Sequence, residues 1–270
     1  MKGRPARRAG PRGRTTAKPP RPGELLLIPL RTLPEVRRGA DVAALLVRAA
    51  ARERVEFERG DVVVLAQKIV SKAEGRTVRL DSVAPSALAR EWAPRLGQDP
   101  RLTEVVLRES RRVLRMTERV LIVETRHGFV CANAGVDRSN VPGASVTCLP
   151  ADPDASARRI AGGLRRRTGI SLPVIISDTF GRPWRLGLVN VAIGGWGLRV
   201  MEDLRGSLDA YGHPLRATIL AVADELAAAA GLLMGKNAAV PAVIVRGYRY
   251  RAARDTAQSL LRPAAEDLFR

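Results

Sequence analysis

The chain has 270 residues, of which 46% are hydrophobic, so it is long enough to bury a sizeable core in one or two domains. Its formal net charge of +19 raises the question of an acidic or nucleic-acid partner. No uncharged apolar stretch approaches the roughly 20 residues that a membrane-spanning helix needs, and the basic N-terminus lacks the apolar segment of a secretory signal, so we expect no membrane partner.

The chain begins with a basic tail. Residues 1–22 contain eight Lys or Arg side chains and no acidic side chain, and they are rich in Pro and Gly. Such a segment cannot bury apolar surface, and it is therefore predicted to be disordered. Its charge would suit nucleic acid, but we favour a solvated extension, because no recognition motif accompanies it.

Strands and helices alternate in the first half of the chain. A strand over 24–30 leads into a turn over 32–35, and Asp41 is predicted to cap a helix whose apolar residues recur at helical spacing. The apolar run 61–66 predicts a buried strand that ends in a loop carrying Gln67, Lys68 and Lys72. Two further helices are predicted, one from Ser86 to a stop at Gly97 and one after Asp99.

The second half continues the alternation. Strands over 120–125 and 129–134 flank His127-Gly128 as a hairpin, and Asp154 is predicted to cap a helix that ends before Gly169. Strands are predicted over 174–177, 187–194 and 240–245, a long helix over 216–234, and a helical segment over 251–270. Because several neighbouring strands are joined as hairpins, we predict an α/β (α+β) fold with a mixed sheet in a catalytic region spanning 23–250.

Two acidic residues each follow an apolar, strand-like run. Asp137 has Asn140 as a near neighbour, and Asp178 is followed directly by Thr179. Carboxylate, amide and hydroxyl oxygens are the hard ligands that Mg²⁺ and Mn²⁺ prefer. One such Asp would more simply be a helix or turn cap, whereas two together favour a metal site with phosphate chemistry.

Lysine is rare in this arginine-rich chain. It occurs at positions 2, 18, 68, 72 and 236. A lysine ammonium is a compact charge that suits a phosphate, so Gln67, Lys68 and Lys72 predict a nucleotide-contacting loop, with a solvated turn as the alternative. The segment 231–237 resembles a P-loop only superficially, because its spacing is one residue short and no Ser or Thr follows the lysine. Gly235 is therefore interpreted as a helix stop, and 194–197 as a tight turn.

The two cysteines, Cys131 and Cys148, have neither the spacing of a metal site nor that of a disulfide framework. They are interpreted as buried thiols of a cytoplasmic protein.

Several segments, taken together and in order, resemble the coenzyme F420:L-glutamate ligase family over roughly residues 24–250. They are VSKAEGR at 70–76, NAGVD through Asn140 at 133–140, SDT with Gly181 and Arg182, AIG at 192–194, and VADE at 222–225 with VRG at 245–247. The version Arg182-Pro183-Trp184-Arg185 is more similar to the bacterial members, many of which carry a fused flavin-binding nitroreductase-like domain.

The resemblance implies a homodimeric enzyme with a two-domain α/β fold. It would use GTP to activate the carboxylate of coenzyme F420-0 as an acyl phosphate, and L-glutamate would then form an amide, with further glutamates added through γ-linkages. By resemblance, Asp137, Asp178 and Thr179 bind Mn²⁺ or Mg²⁺, K⁺ assists, and Asp137, Asp178 and Lys72 carry the catalysis. The positions implied to contact GTP are the 32–35 turn with Leu33 and Pro34, then Gln67, Lys68, Lys72, Asn140, Met234, Gly235 and Lys236.

Lys236 departs from the family pattern, because archaeal-type members have an acidic or amide residue near this position that helps to hold a second metal ion. A protonated lysine cannot ligate a metal, although it can contact a phosphate. Lys236 therefore keeps open a related ligase that acts on a different carboxylate acceptor. The basic tail and the high net charge keep open a second alternative, a basic nucleic-acid-binding protein.

Overall fold

The computed structural model describes residue 21 and residues 23–139, 143–235 and 238–267. Most of the basic tail lies outside the described residues, as do two of the candidate ligand residues, Asn140 and Lys236.

A five-stranded mixed sheet forms the centre of the molecule. Its strands neighbour one another in the order β1 (Leu26–Leu30), β12 (Ala242–Arg246), β2 (Val62–Ala66), β8 (Val174–Arg182) and β9 (Arg185–Trp196). The β2–β8 pair is parallel and the other neighbours are antiparallel, which confirms the predicted mixed sheet.

Helices cover both faces of this sheet. Helices α1 (Val42–Arg52), α2 (Gln67–Ala73) and α5 (Pro153–Thr168) pack on one face, and α6 (Val222–Met234) packs on the other. Along β2, Val63 and Leu65 point into the first apolar cluster while Val62 and Val64 point into the second. The strand is therefore apolar at every position because both of its faces are buried.

A separate apolar cluster lies in the part of the chain between β2 and α5. It is built from α3 (Ala87–Leu96), α4 (Pro100–Glu109) and a three-stranded antiparallel sheet of β4 (Ser110–Met116), β5 (Leu121–Thr125) and β6 (Val130–Ala132). A two-stranded pair, β3 (Thr77–Arg79) with β7 (Ser145–Thr147), adjoins it. The chain thus folds around more than one core.

The remaining elements are short. Strands β10 (Glu202–Asp203) and β11 (Ile219–Leu220) pair with each other, and the C-terminal segment contains two 3₁₀ helices, Ala257–Leu260 and Ala264–Glu266. Among the described residues, no helix combines the length and the apolar character that crossing a membrane would require.

Local signals predicted most helix ends correctly. The side chains of Asp41, Ser86 and Asp99 accept the backbone N–H groups that cap α1, α3 and α4. Gly97 and Gly169 end α3 and α5 with φ of 61° and 74°, a left-handed conformation that favours glycine.

Four helix and loop predictions were wrong. The cap of α5 is Asp152 and not Asp154, because Pro153 occupies the first helical position between them. The long helix begins at Val222 and not near residue 216, since Ile219 and Leu220 pair as β11. Residues 67–73 form a helix where a loop was expected. The stretch 194–196 belongs to β9, and a Cβ at Gly194 would lie 2.6 Å from the Pro153 carbonyl group, so this glycine permits close packing of α5 on the sheet.

The strand after residue 174 is longer than predicted, and five strands were missed, namely β3, β4, β7 and the two-residue strands β10 and β11. β8 continues to Arg182, so Asp178 and Thr179 lie within a strand. Its parallel partner β2 stops earlier, however, because Ala66–Ser177 is the last pair between them. β3, β4 and β7 carry many charged or hydroxyl side chains, which hides the apolar alternation of a strand.

Candidate functional site

A cavity of about 780 Å³ opens where the parallel strands β2 and β8 separate. Beyond this point β2 continues into α2, whereas β8 continues only as a hairpin with β9. Ligands of α/β proteins bind at the carboxyl ends of parallel strands, because diverging chains leave a crevice there. The volume lies within the range of small-molecule and cofactor sites.

The cavity brings together residues that are far apart in the sequence. Apart from Thr32 of the 32–35 turn, the predicted ligand residues that the structure describes line it: Leu33, Pro34, Glu35, Gln67, Lys68, Lys72, Asp137, Asp178, Thr179, Met234 and Gly235. These residues come from the segment after β1, from α2, from the segment between β6 and β7, from β8, and from the end of α6. Asn140 and Lys236 are not among the described residues.

Lys68 and Asp137 form an ion pair at the cavity. The Lys68 Nζ lies 2.7 Å from the Asp137 Oδ2 and also donates to the Ser139 hydroxyl oxygen. The Ser139 N–H donates to the other carboxylate oxygen at 2.7 Å. Burial opposes ionisation of Asp137, but these hydrogen bonds outweigh it and hold the pKa of this carboxyl below its usual value. Asp137 is therefore an anion at neutral pH.

Lys72 is paired in a similar way with a carboxylate that also lines the cavity. Its Nζ lies 2.6 Å from the Glu35 Oε1, and the Lys72 side chain is far less exposed than that of Glu35. Both lysines of α2 therefore present positive charge to the cavity from one helix. Because a partly exposed ion pair contributes little to stability, exchanging such a carboxylate for a ligand phosphate would cost little.

Gln67, the first residue of α2, is almost fully buried beside the same cavity. Its Oε1 accepts a hydrogen bond of 2.6 Å from the Ser71 hydroxyl. Its Nε2 is buried and has no hydrogen-bond partner among the described residues. A buried amide donor without a partner is costly, so this atom marks a place where a ligand acceptor would be stabilised.

Asp178 and Thr179 extend the polar wall along β8. The Thr179 hydroxyl donates to the Asn190 Oδ1 at 3.1 Å across the β8–β9 hairpin. Burial and the nearby negative charge of Asp178 together raise the pKa of the Cys131 thiol to about 12, so this cysteine stays a neutral thiol. Cys148 is likewise a buried free thiol.

Asn190, Ser177 and Leu188 also line the cavity but were not identified from the sequence. Asn190 stands directly opposite Thr179 in the hairpin. Counting back from the Pro183-Trp184 turn could have found the pair. The register shifts between Gly181 and Arg182, however, and moves that count by two residues.

Two half-buried carboxylates, one on α6 and one on α5, hold β9 in place. The Asp224 Oδ1 accepts the Ala192 N–H at 2.8 Å, and the Asp154 Oδ1 accepts the Gly195 N–H at 2.7 Å and the Ala257 N–H at 2.8 Å. Burial raises the pKa of both carboxyls. These are structural roles, since neither residue lines the cavity.

The donor set of the cavity fits a divalent ion that is shared with a ligand. Among the described residues, no group of three His, Cys, Asp or Glu side chains could enclose a metal ion. Asp137, Asp178 and Thr179 instead offer two carboxylates and a hydroxyl at one cavity. At nucleotide sites Mg²⁺ takes few protein ligands and completes its shell with phosphate oxygens and water. The residues present therefore fit a metal–phosphate complex better than a metal ion alone.

The comparisons with known proteins agree with one another. A family model described as F420-0:Gamma-glutamyl ligase matches residues 31–247. The chain is 47% identical over 247 residues to the coenzyme F420:L-glutamate ligase of Methanothermobacter thermautotrophicus, a match that covers 90% of this chain and 98% of that protein. It is 46% identical over 241 residues to the protein of the same name from Methanopyrus kandleri, covering 87% and 94% of the two chains.

Proposed function

The chain belongs to the F420-0:gamma-glutamyl ligase family, and on that premise we propose that it uses GTP to join L-glutamate to coenzyme F420-0. It is a ligase of coenzyme F420 biosynthesis, since its relatives are named coenzyme F420:L-glutamate ligases. The proposal adds three features to this activity: the use of GTP, the acyl-phosphate route and the γ-linkage of later glutamates.

One observation carries the proposal. Two lysines and two aspartates, from three separate parts of the chain, line a single cavity of about 780 Å³ at the end of the parallel strands. A triphosphate requires cations that neutralise its charge and a divalent ion that bridges its oxygens, and this cavity has residues for both. The Nε2 of Gln67, which has no hydrogen-bond partner within the described part of the chain, supplies a donor at the same place.

The reaction would proceed in two steps. A carboxylate oxygen of the acceptor bonds to the γ-phosphorus of GTP while the bond between that phosphorus and the β,γ-bridging oxygen breaks, and GDP leaves. The glutamate amine then bonds to the acyl carbon, the bond from that carbon to the phosphate oxygen breaks, and phosphate leaves as the amine loses a proton. Lys68 and Lys72 would hold the phosphate groups against their mutual repulsion and against the charge of the approaching carboxylate.

Asp137, Asp178 and Thr179 would hold Mn²⁺ or Mg²⁺. The ion neutralises charge on the transferring phosphoryl group when it is bound. We also propose, from the family resemblance, that a monovalent ion such as K⁺ assists. Replacing KCl by NaCl at constant ionic strength would then lower the rate.

The homodimer is part of the same proposal. The β8–β9 hairpin extends beyond the last β2–β8 pair and carries exposed apolar side chains at Trp184, Leu186 and Leu188. Exposed apolar surface of this kind marks protein interfaces. A second copy of the chain is the proposed occupant.

The decisive experiment measures glutamate addition to F420-0 by mass spectrometry, with GTP or ATP and with Mn²⁺ present or chelated. We expect addition only with GTP and the metal ion. Asp178→Asn should lower the rate by roughly 100-fold or more, since it removes one charge from the metal–phosphate complex. GTP with Mn²⁺ should raise the Tm of the wild type but not that of the variant.

Asp81→Asn is the matched control, because Asp81 is an exposed carboxylate that pairs with Arg79 at the surface and does not line the cavity. Wild-type turnover by Asp178→Asn would remove the metal assignment. Addition to another carboxylate acceptor, without addition to F420-0, would favour a related ligase with a different substrate.

A further inference from the structure

A second cavity, of about 630 Å³, lies on the part of the chain that holds α3, α4 and the three-stranded sheet. The end of α3, the start of α4, the β4–β5 turn and the segment after β6 line it. We call this cavity the arginine groove, because Arg119 and Arg138 both line it.

The arginine groove lies behind one wall of the first cavity. Val136 and Arg138 line the groove, whereas Asp137 between them lines the first cavity. Asp137 exchanges two backbone hydrogen bonds with Thr147, of 3.0 and 2.9 Å, so the segment is extended there. Side chains alternate between opposite sides of an extended chain, and neighbouring Cα atoms are about 3.8 Å apart. One segment of backbone therefore separates the two cavities.

The lining of the groove suits an anionic, partly apolar chain. Arg119 and Arg138 are exposed and provide positive charge, and leucine side chains provide an apolar floor. Glu118 is the single acid among the described residues that line the groove. The Gln98 Nε2 is buried and has no hydrogen-bond partner among the described residues. A buried donor beside two guanidinium groups is the chemistry that recognises carboxylate or phosphate oxygens.

We propose that the arginine groove binds the anionic chain of the acceptor, namely the phosphodiester or α-carboxylate groups that precede its reacting carboxylate. This inference rests on the proposed function. The reacting carboxylate must lie in the first cavity, beside Lys72 and Asp178, so the rest of the acceptor has to leave that cavity. The groove is one backbone segment away and bears the charge opposite to that of the acceptor.

The groove also accounts for repeated addition. Each γ-linked glutamate places one more α-carboxylate behind the reacting end of the acceptor. A groove with two flexible arginines can hold such carboxylates at more than one position, because guanidinium groups bind oxygen pairs wherever they can reach them. The same surface therefore serves F420-0 and its glutamylated product as acceptors.

The test compares the variants Arg119→Gln and Arg138→Gln with the wild type in steady-state assays, with F420-0 or its monoglutamylated form as the varied acceptor. We expect the KM for either acceptor to rise by about tenfold in each variant, the loss of one charge-assisted hydrogen bond. The KM for GTP and the kcat at saturating acceptor should stay unchanged. Calorimetric titration with F420-0, in which no turnover takes place, should show that the variants bind this acceptor more weakly to the same extent.

Arg115→Gln is the matched control, since Arg115 is an exposed arginine of β4 that does not line the groove. An unchanged acceptor KM in both groove variants would overturn the inference, and so would an equal rise in the KM for GTP. Absence of glutamate addition by the wild type would instead refute the proposed function, so the two failures are distinguishable.

Discussion

At the scale of single residues, the two lysines of α2 show how charge is held ready for a ligand. Lys68 contacts Asp137 and Lys72 contacts Glu35, so neither ammonium faces the cavity uncompensated. Each partner is a carboxylate that a phosphate resembles in charge and in its oxygen acceptors. In a chain that uses arginine almost everywhere else, these two lysines suit the proposed phosphate site, because a compact cation can approach one phosphate oxygen closely.

A buried carboxylate away from the cavity makes stability depend on pH. Glu104 of α4 accepts the Ser86 N–H at 2.9 Å and the Arg108 Nε–H at 2.8 Å. The hydrogen bonds from Ser86 have the largest effect on the pKa of Glu104, and the bond from Arg108 has a smaller one. Together they lower this pKa to about 2, although burial opposes the change. Because the folded pKa lies below the unfolded value, this stabilisation is complete above about pH 4.5 and is lost as the pH falls towards 2.

Glu104→Gln should therefore lower the free energy of unfolding by about 1–3 kcal/mol at pH 7, since the charged hydrogen bonds are lost. The difference from the wild type should shrink as the pH falls below about 4.5. Urea unfolding followed by circular dichroism across this range measures both effects. Glu91→Gln, at an exposed position of α3, is the control. A difference that did not change with pH would contradict the assignment.

At the scale of elements, the packing of α1 on α5 depends on a glycine. A Cβ built at Gly163 would lie 2.7 Å from the Cβ of Ala43, whereas one at Gly162 would meet only the end of the Arg166 side chain, at 3.6 Å. Both glycines lie in the interior of α5. One of them therefore permits close helix packing, and the other only weakens the helix.

The variants Gly163→Ala and Gly162→Ala should have opposite effects on stability. Gly163→Ala should lower the free energy of unfolding by about 1–3 kcal/mol, because α1 and α5 must move apart. Gly162→Ala should raise it by about 0.5–1 kcal/mol, because alanine favours the helix. Urea unfolding of the two proteins side by side gives both values, and equal changes of the same sign would disprove the packing argument.

The elements also show which features the sequence could and could not predict. The ends of α1, α3 and α4 were predictable because a cap is a contact between residues two or three positions apart. The length of β8 was not, because residues after Ser177 remain a strand only through pairing with β9. Asn190 was missed for the same reason, since a shifted hairpin register places it beside Thr179. The cavity residues were identified by resemblance and chemistry, whereas their ion-pair partners required the fold.

At the scale of the whole molecule, the two aspartates among the candidate metal ligands come from different cores. Asp178 lies on β8 of the central sheet, and Asp137 lies between β6 and β7, next to the separate cluster of α3 and α4. A ligand that contacts both aspartates would therefore fix the position of one core against the other. The arginine groove belongs to the second core, so binding of the acceptor and of the nucleotide would meet at the 136–138 segment.

The β8–β9 hairpin leads to a prediction about the oligomeric state of the whole molecule. Leu186 is 98% exposed and follows Trp184, which is 81% exposed, at the end of this hairpin. If a second copy covers it, Leu186→Glu places a charge in the centre of the interface and should weaken dimerisation by about 30-fold or more. Light scattering after size-exclusion chromatography over a range of concentrations measures the shift from dimer to monomer. Leu232→Glu is the matched control, because Leu232 is 82% exposed on α6 and should leave the dimer intact. A wild-type protein that is monomeric at every concentration, or a Leu186→Glu protein that stays dimeric, would contradict the prediction.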